Sequence, residues 1–164
     1  MFKANRYPVG LYVENNQEIN ALNLGQKRGN FFLKPNGVFL ITTNNEAQVV
    51  ESTQYPKVDA KIKFATQSGP MLLLHGKIHP KFGKNSLNRN IRSGVGVLNK
   101  NKVVFAISNQ EVTFYEFASF FKKLGCQNAL YLDGHISQMY LPSLKRYDDG
   151  GNFGVMIGVS EKRQ

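Results

Sequence analysis

The sequence predicts an α+β domain of mixed, mostly antiparallel β-sheets, packed around one main amphipathic helix at about residues 113–125. Three observations lead there. Short apolar runs bounded by Asn, Gly and Pro recur along most of the chain, which is the patterning of strands and turns. Only one stretch, Val112 to Leu124, carries its apolar residues at helical spacing. Strands do not alternate regularly with helices, so a parallel sheet with crossover helices is not expected.

The first third reads as a β-meander. Tyr7 to Val13 turns into a strand, Asn15-Asn16 ends it, and Ile19 to Leu24 returns. Gly29 to Leu33 is the next strand candidate, and Val38 to Thr42 is expected to pair back on it. Between them Asn36-Gly37 suits the left-handed positions of a two-residue hairpin. Asn44-Asn45 turns again into a weaker strand, Ala47 to Glu51. Val58 to Ala65 fits either a short helix or a strand, because Lys61 and Lys63 alternate with Ile62 and Phe64.

The polar run Thr66-Gln67-Ser68-Gly69-Pro70 is expected to connect that segment to a buried strand, Met71 to Leu74. His75-Gly76-Lys77 reads as a turn, with His75 and His79 at the surface. His79 to Asn90 is a polar loop, long enough to be functional. Arg92 to Leu98 is a strand with Gly94 and Gly96 on one face, and glycines there signal the close approach of a ligand or another backbone. Val103 to Ile107 is its hairpin partner.

The helix has its own signals. Thr113 and Glu116 stand three apart, the spacing of a capping box. Phe114, Phe117, Ala118, Phe121 and Leu124 form one apolar stripe. Lys122 and Lys123 sit where the helix dipole favours cations, and Gly125 is a natural stop. Ala129 to Leu132 then re-enters the core and ends abruptly at Asp133-Gly134. Asp-Gly is a common turn pair, and a carboxylate where a buried strand emerges is also how many sites are built. Both readings stay open on that stretch alone. Met139 to Leu141, ended by Pro142, and Phe153 to Val159 are the last strand candidates.

Composition narrows the function classes. A chain of 164 residues that is 41% hydrophobic and 20% charged is one ordinary globular domain. No apolar run is long enough to span a bilayer, and the first residues contain no signal-peptide core. The net charge of +10 invites a nucleic-acid reading. The cations fall instead in scattered pairs such as Lys27-Arg28, Lys122-Lys123 and Lys145-Arg146, with no basic block interleaved with aromatics. No specific nucleic-acid partner is expected. Cys126 has no disulfide partner and reads as a small buried hydrophobe. Asp148-Asp149-Gly150-Gly151-Asn152 offers oxygen ligands but no distal Glu, which favours a solvated turn over a calcium loop.

Three ordered markers carry a resemblance: Gln67-Ser68-Gly69-Pro70-Met71-Leu72 with Gly76 after it, Arg92-Ser93-Gly94-Val95-Gly96-Val97, and Leu132-Asp133-Gly134-His135-Ile136-Ser137. In order and spacing they resemble the phosphodiester glycosidase domain of the lysosomal uncovering enzyme and its relatives, and look closest to a bacterial branch. The resemblance covers nearly the whole chain as a single domain, 1–164. Two departures stand out. His135 and Ile136 replace two glycines of the family's last marker. The family's Asn-Gly-Gly-like segment precedes a Phe-containing pair that falls here at Met1-Phe2, so the resemblance implies that an N-terminal part is missing.

What the resemblance implies is hydrolysis of a sugar from a phosphodiester-linked glycoside, such as a cell-envelope glycan, outside the cytoplasm in the periplasm or beyond. Asp133, Arg92 and His135 are the implied catalytic residues. Arg92 would hold phosphate oxygens bidentately, and Asp133 would face the anomeric carbon. Gln67, Ser68, Gly69, Ser93, Gly94, Gly134, Ser137 and Arg89 are the implied substrate-binding residues, with Lys84 as a further helper. Gly94 and Gly96 would leave room for the sugar. His135 is an acid or a metal ligand on one reading and polar packing on the other. The pattern names no certain cofactor, and a divalent cation is compatible with it. The alternative is a non-catalytic domain that binds a carbohydrate or envelope polymer, or an inactive fragment. Unpaired strand edges are expected to allow copies to associate.

Overall fold

The computed structural model describes residues 2–3, 5–133, 137–150 and 155–161. Two five-stranded sheets make up the body. The first contains β1 (Tyr12–Glu14), β2 (Gln17–Asn20), β3 (Gly37–Thr42), β4 (Ala47–Glu51) and β5 (Ile62–Ser68), in the order β2-β1-β5-β3-β4. The second contains β6 (Met71–Leu74), β7 (Lys77–Ile78), β8 (Ser93–Asn99), β9 (Lys102–Ile107) and β10 (Asn128–Asp133), in the order β7-β6-β10-β8-β9. A small hairpin, β11 (Tyr140–Leu141) with β12 (Arg146–Tyr147), follows. Every described pairing is antiparallel. The class is α+β, with one α-helix, α1 (Phe114–Lys123), among the described residues.

Alternation along the strands builds the layers. Val38 and Leu40 of β3 face the outer cluster with Leu11, Val13 and Ala65. Phe39 on the opposite face meets Met71, Val95, Leu130 and Leu132 between the two sheets. Ala129 and Tyr131 of β10 point the other way, onto Phe117, Ala118 and Phe121 of α1. The second sheet is therefore covered on both faces, which explains the unbroken apolar runs at Met71–Leu73 and Ala129–Leu132. The helix is held as its sequence predicts. Thr113 Oγ1 accepts from the Glu116 N–H at 3.1 Å, and the Glu116 carboxylate accepts from the Thr113 N–H at 2.7 Å.

Several expectations need correction. Gly29 to Leu33 is no strand: Asn30–Phe32 is a 3-10 turn entered through Gly29 at φ +107°. The edge-to-face pair Phe31–Phe32 has centroids 4.9 Å apart. Asn36 Nδ2 ties the turn down by donating to the Phe31 carbonyl at 2.9 Å. The edge of β3 that it would have occupied is taken by β5, with Val38 opposite Gln67 and Leu40 opposite Ala65. So 58–65 resolves as strand from Ile62 onward, and Thr66–Ser68 is the buried end of β5 rather than a connector. His79 is 3% exposed, not at the surface. Its Nδ1 accepts from the Lys81 N–H, so Nε2 carries the proton and donates to the Lys34 carbonyl at 2.9 Å. Of the expected last strand, the described part, 155–159, is not in a strand.

Candidate active site

The end of β10 sets the geometry. Tyr131 lies opposite Gly94, yet Asp133 lies opposite Ser93, so two steps on β10 answer one on β8. This extra residue changes the face on which the strand tip presents its side chain. Tyr131 looks towards α1, whereas Asp133 comes level with Ser93. Ser93 Oγ donates to the Asp133 carbonyl at 2.9 Å and accepts from the Asp133 N–H at 3.2 Å. Ser137 Oγ is 2.6 Å from the same hydroxyl. Because the Ser93 proton is already given to Asp133, Ser137 is the donor of that pair.

A cleft of about 270 Å³ opens beside this strand end. Asp133, Leu132 and Tyr131 form one part of its lining, and Ser68 and Gly69 another. Arg28 and the Gly29–Phe32 turn complete it. Asp133 is the only carboxylate among the described lining residues. Ser68 is 2% exposed, and its Oγ donates to the Leu132 carbonyl at 3.1 Å, which stitches β5 to β10. The structure thus brings Asp133, Ser93, Ser137, Ser68 and Gly69 together from three distant parts of the chain.

Other expected site residues are placed elsewhere. Arg92 is 1% exposed. Its guanidinium donates to the Val112 carbonyl at 2.8 Å, the Asn88 carbonyl at 3.0 Å and Asn88 Oδ1 at 2.9 Å. It also lies 3.6 Å from the Phe114 ring centroid. A guanidinium so enclosed has no fork left for a phosphate, and the bidentate role expected of it is corrected. The reason is parity: along extended chain Arg92 faces opposite to Ser93, and Ser93 is level with Asp133. Arg89 pairs with the capping Glu116 at 3.1 Å and bonds the Glu111 carbonyl, away from the cleft.

Gln67 is a structural clamp. Its Oε1 accepts from the Leu11 and Asn23 N–H groups, and its Nε2 donates to the Asn23 carbonyl and Ser52 Oγ. With all four positions taken and 1% exposure, it cannot also bind substrate. Gly94 and Gly96 make no room for a sugar. A Cβ at Gly94 would stand 3.1 Å from the Phe117 ring, and at Gly96 2.6 Å from Phe121 and 2.7 Å from the Cys126 sulfur. They admit the helix. Gly69 is small for packing too, since a Cβ there would meet Asn36 at 2.6 Å. Gly134 and His135 lie outside the described residues.

Sequence reasoning missed Arg28 and Tyr131 as cleft residues. Arg28 is exposed and has no ion pair among the described residues. Its signal was available: the Lys27-Arg28 pair before Gly29, leading into Phe31-Phe32 after the uncharged stretch Ile19 to Gln26. Tyr131 was hidden inside an apolar run. Burial, its largest influence, pushes its phenol up to about 12; Asp133 acts in the same direction and the neighbouring Arg92 guanidinium against it. Among the described residues no three His, Cys, Asp or Glu side chains gather as a metal site.

Chemically, the cleft separates donors from acceptors. The protons of Ser68 and Ser93 go to protein carbonyls, and Ser137 gives its own to Ser93. Ser93 also accepts twice, from the Asp133 N–H and from Ser137, so the lone pairs still on offer are those of Ser68 and Ser137, which suit the O–H groups of a sugar and not a phosphate oxygen. Arg28 supplies positive charge, and Asp133 a carboxylate.

Comparison with known proteins gives the family and the fold. A family model described as phosphodiester glycosidase matches residues 1–159. The uncharacterized protein YigE of Escherichia coli K12 is 44% identical over 160 residues, covering 94% of this chain and 61% of its own. The catalytic domain of zebrafish N-acetylglucosamine-1-phosphodiester alpha-N-acetylglucosaminidase, solved auto-inhibited by its pro-peptide, superposes with a TM-score of 0.56. That match is 16% identical and covers 82% of this chain and 48% of the other, so the likeness is one of fold. The chain spans less than two thirds of either protein's length.

Proposed function

Because this chain belongs to the phosphodiester glycosidase family, we propose that its cleft takes a sugar joined through the anomeric carbon to a phosphodiester and hydrolyses that bond. The observation that carries this reading is the meeting, in one cleft, of the Asp133 carboxylate with the Arg28 cation and with Ser68, whose proton already goes to the Leu132 carbonyl.

The chemistry follows from the groups. The bond between the anomeric carbon and the phosphate oxygen breaks, water supplies the new hydroxyl on carbon, and the phosphate departs as a monoester. A phosphate is a stable anion near neutral pH, so departure demands less of a general acid than an alcohol would. One carboxylate then suffices to accept the proton of the attacking water or to attack the anomeric carbon itself. Asp133 takes that part. Arg28 draws the phosphate in and offsets its charge. The Ser68 and Ser137 oxygens accept from sugar hydroxyls and orient the ring.

The zebrafish relative is, by its name, an N-acetylglucosaminidase acting on an N-acetylglucosamine 1-phosphodiester. An alkyl N-acetylglucosamine 1-phosphate diester is accordingly the first substrate to test, with other hexose 1-phosphodiesters beside it. Sugar release by the full chain should fall by about 10²–10⁴-fold in Asp133→Asn with melting temperature retained. Turnover undiminished by that change would remove the carboxylate from the mechanism. Binding without turnover would favour a carbohydrate-binding domain.

A further inference from the structure

A phosphate in this cleft needs hydrogen-bond donors, and the serines have none left to give. Arg28 is exposed, on the loop that leads into the Asn30–Phe32 turn. Two further lining residues have side chains able to donate, Asn30 and Tyr131; Asn30 is exposed, whereas Tyr131 is buried and held by packing. Resting on the function proposed above, we infer that the Tyr131 hydroxyl donates to a non-bridging phosphate oxygen of the bound phosphodiester, with Arg92 as the positioning residue behind it.

The geometry supports this in three steps. Tyr131 is 5% exposed, and its ring is fixed edge-on against Phe114, centroids 4.8 Å apart at 77°. Arg92 is fixed against the same ring, with its guanidinium carbon 3.6 Å from the Phe114 centroid and 5.7 Å from that of Tyr131. Phe114 is itself stacked on Phe82 at 4.8 Å, and Phe82 on His79 at 4.6 Å. This column lets neither the phenol nor the guanidinium turn away.

The second step is orientation. A guanidinium has donors and no acceptor. Beside it the phenol presents its oxygen to the cation, so the O–H proton is directed elsewhere. The phenol stands between Arg92 and Asp133 electrostatically, and burial with the Asp133 charge keeps it protonated far above neutral pH. A permanently protonated phenol, with a positive charge on its oxygen side, is a strong donor to an anion. The third step is the accounting of Arg92. It does not reach the cleft itself: it is 1% exposed, and its Nε and Nη2 hold Val112 and Asn88. It can still favour an anion by polarising the phenol of Tyr131, the one tyrosine among the described lining residues.

The test uses the full chain, Tyr131→Phe and Arg92→Lys, with an alkyl N-acetylglucosamine 1-phosphate diester and its phosphorothioate, in which sulfur replaces a non-bridging oxygen. Dissociation constants come from calorimetry and turnover from sugar release. Tyr131→Phe keeps the ring, so its melting temperature should stay near that of the wild type. Its affinity or kcat/KM for the phosphate diester should fall about 10–100-fold, the range for a hydrogen bond to a charged group. The wild type's preference for phosphate over phosphorothioate should shrink in Tyr131→Phe. Arg92→Lys should lose part of that preference as well. If the wild type hydrolyses or binds the diester and Tyr131→Phe matches it, the inference on Tyr131 is wrong while the proposed function stands. If the wild type neither binds nor hydrolyses any sugar 1-phosphodiester, both fall. Binding without hydrolysis still decides the role of Tyr131 through the dissociation constants.

Discussion

Arg92 carries a full charge into the core and is tolerated because three protein oxygens and an aromatic face replace its water. Burial pulls its pKa below the ordinary arginine value, and the Tyr131 phenol works against that pull. Arg92→Met should therefore destabilise the domain by roughly 2–4 kcal/mol, because it strands buried carbonyls as well as removing the cation. A denaturant midpoint equal to the wild type's would show that those oxygens find water instead. His79 makes a prediction in pH. Burial, the largest influence, lowers its pKa, helped by Lys81 and opposed by the Lys34 carbonyl. Its neutral form is the folded one, so the unfolded chain takes the proton first. Stability from this residue is complete above about pH 6.5, its ordinary unfolded value, and is lost as pH falls through the lower folded pKa. Melting temperature should decline on acidification from pH 7, and His79→Gln should flatten that decline. Neither residue was legible as structural in the sequence. An arginine beside a serine and glycines looks like a ligand site until the face on which it lies is known.

At the level of elements, the helix was the most legible part. Its cap, stripe, cationic last turn and glycine stop all act within a few residues, so nothing remote had to be known. Phe121, fully buried against Gly96 and Cys126, should cost about 3–5 kcal/mol when changed to Ala. Gly96→Ala makes the complementary test. The added methyl meets Phe121 and Cys126 at under 3 Å, and overpacking of this kind costs typically about 1–3 kcal/mol. Unaltered unfolding of Gly96→Ala would mean that α1 rides loosely on the sheet. The Gly29–Leu33 segment was read as a strand because apolar runs of that length usually are. What decides it is remote: β5 occupies the edge of β3, and Asn36 bonds Phe31 across the turn. Gln67 failed for the same reason. A glutamine between apolar segments has the composition of a loop, and only its four partners from 11, 23 and 52 show why it is buried.

Across the whole molecule, stability should be graded by layer. β10 and β3 lie inside their sheets, and β10 is covered on both faces, whereas β2 is an edge strand and β11–β12 is a separate exposed hairpin. Hydrogen exchange should find the slowest amides in β10 and β3, and the fastest in β2 and the 140–147 hairpin. Uniform exchange across these strands would contradict the layered arrangement. The scattered charge of +10 belongs to this scale too. Spread over both sheets and the helix, it favours approach of anions in general, while the choice of ligand is left to the few groups in the cleft.

One extra residue near the tip of β10 has a consequence for how such a chain can diverge. Sidedness along a strand is a binary property, and the insertion between Tyr131 and Asp133 sets it for everything beyond. Deleting Leu132 would change no charge and shorten the chain by a single apolar residue. It would also leave the carboxylate opposite Ser93, on the serine side, because after Tyr131 regular alternation turns the very next residue to that face. A chain of this kind can thus carry or lose one residue at the strand tip and keep its carboxylate beside the same serine.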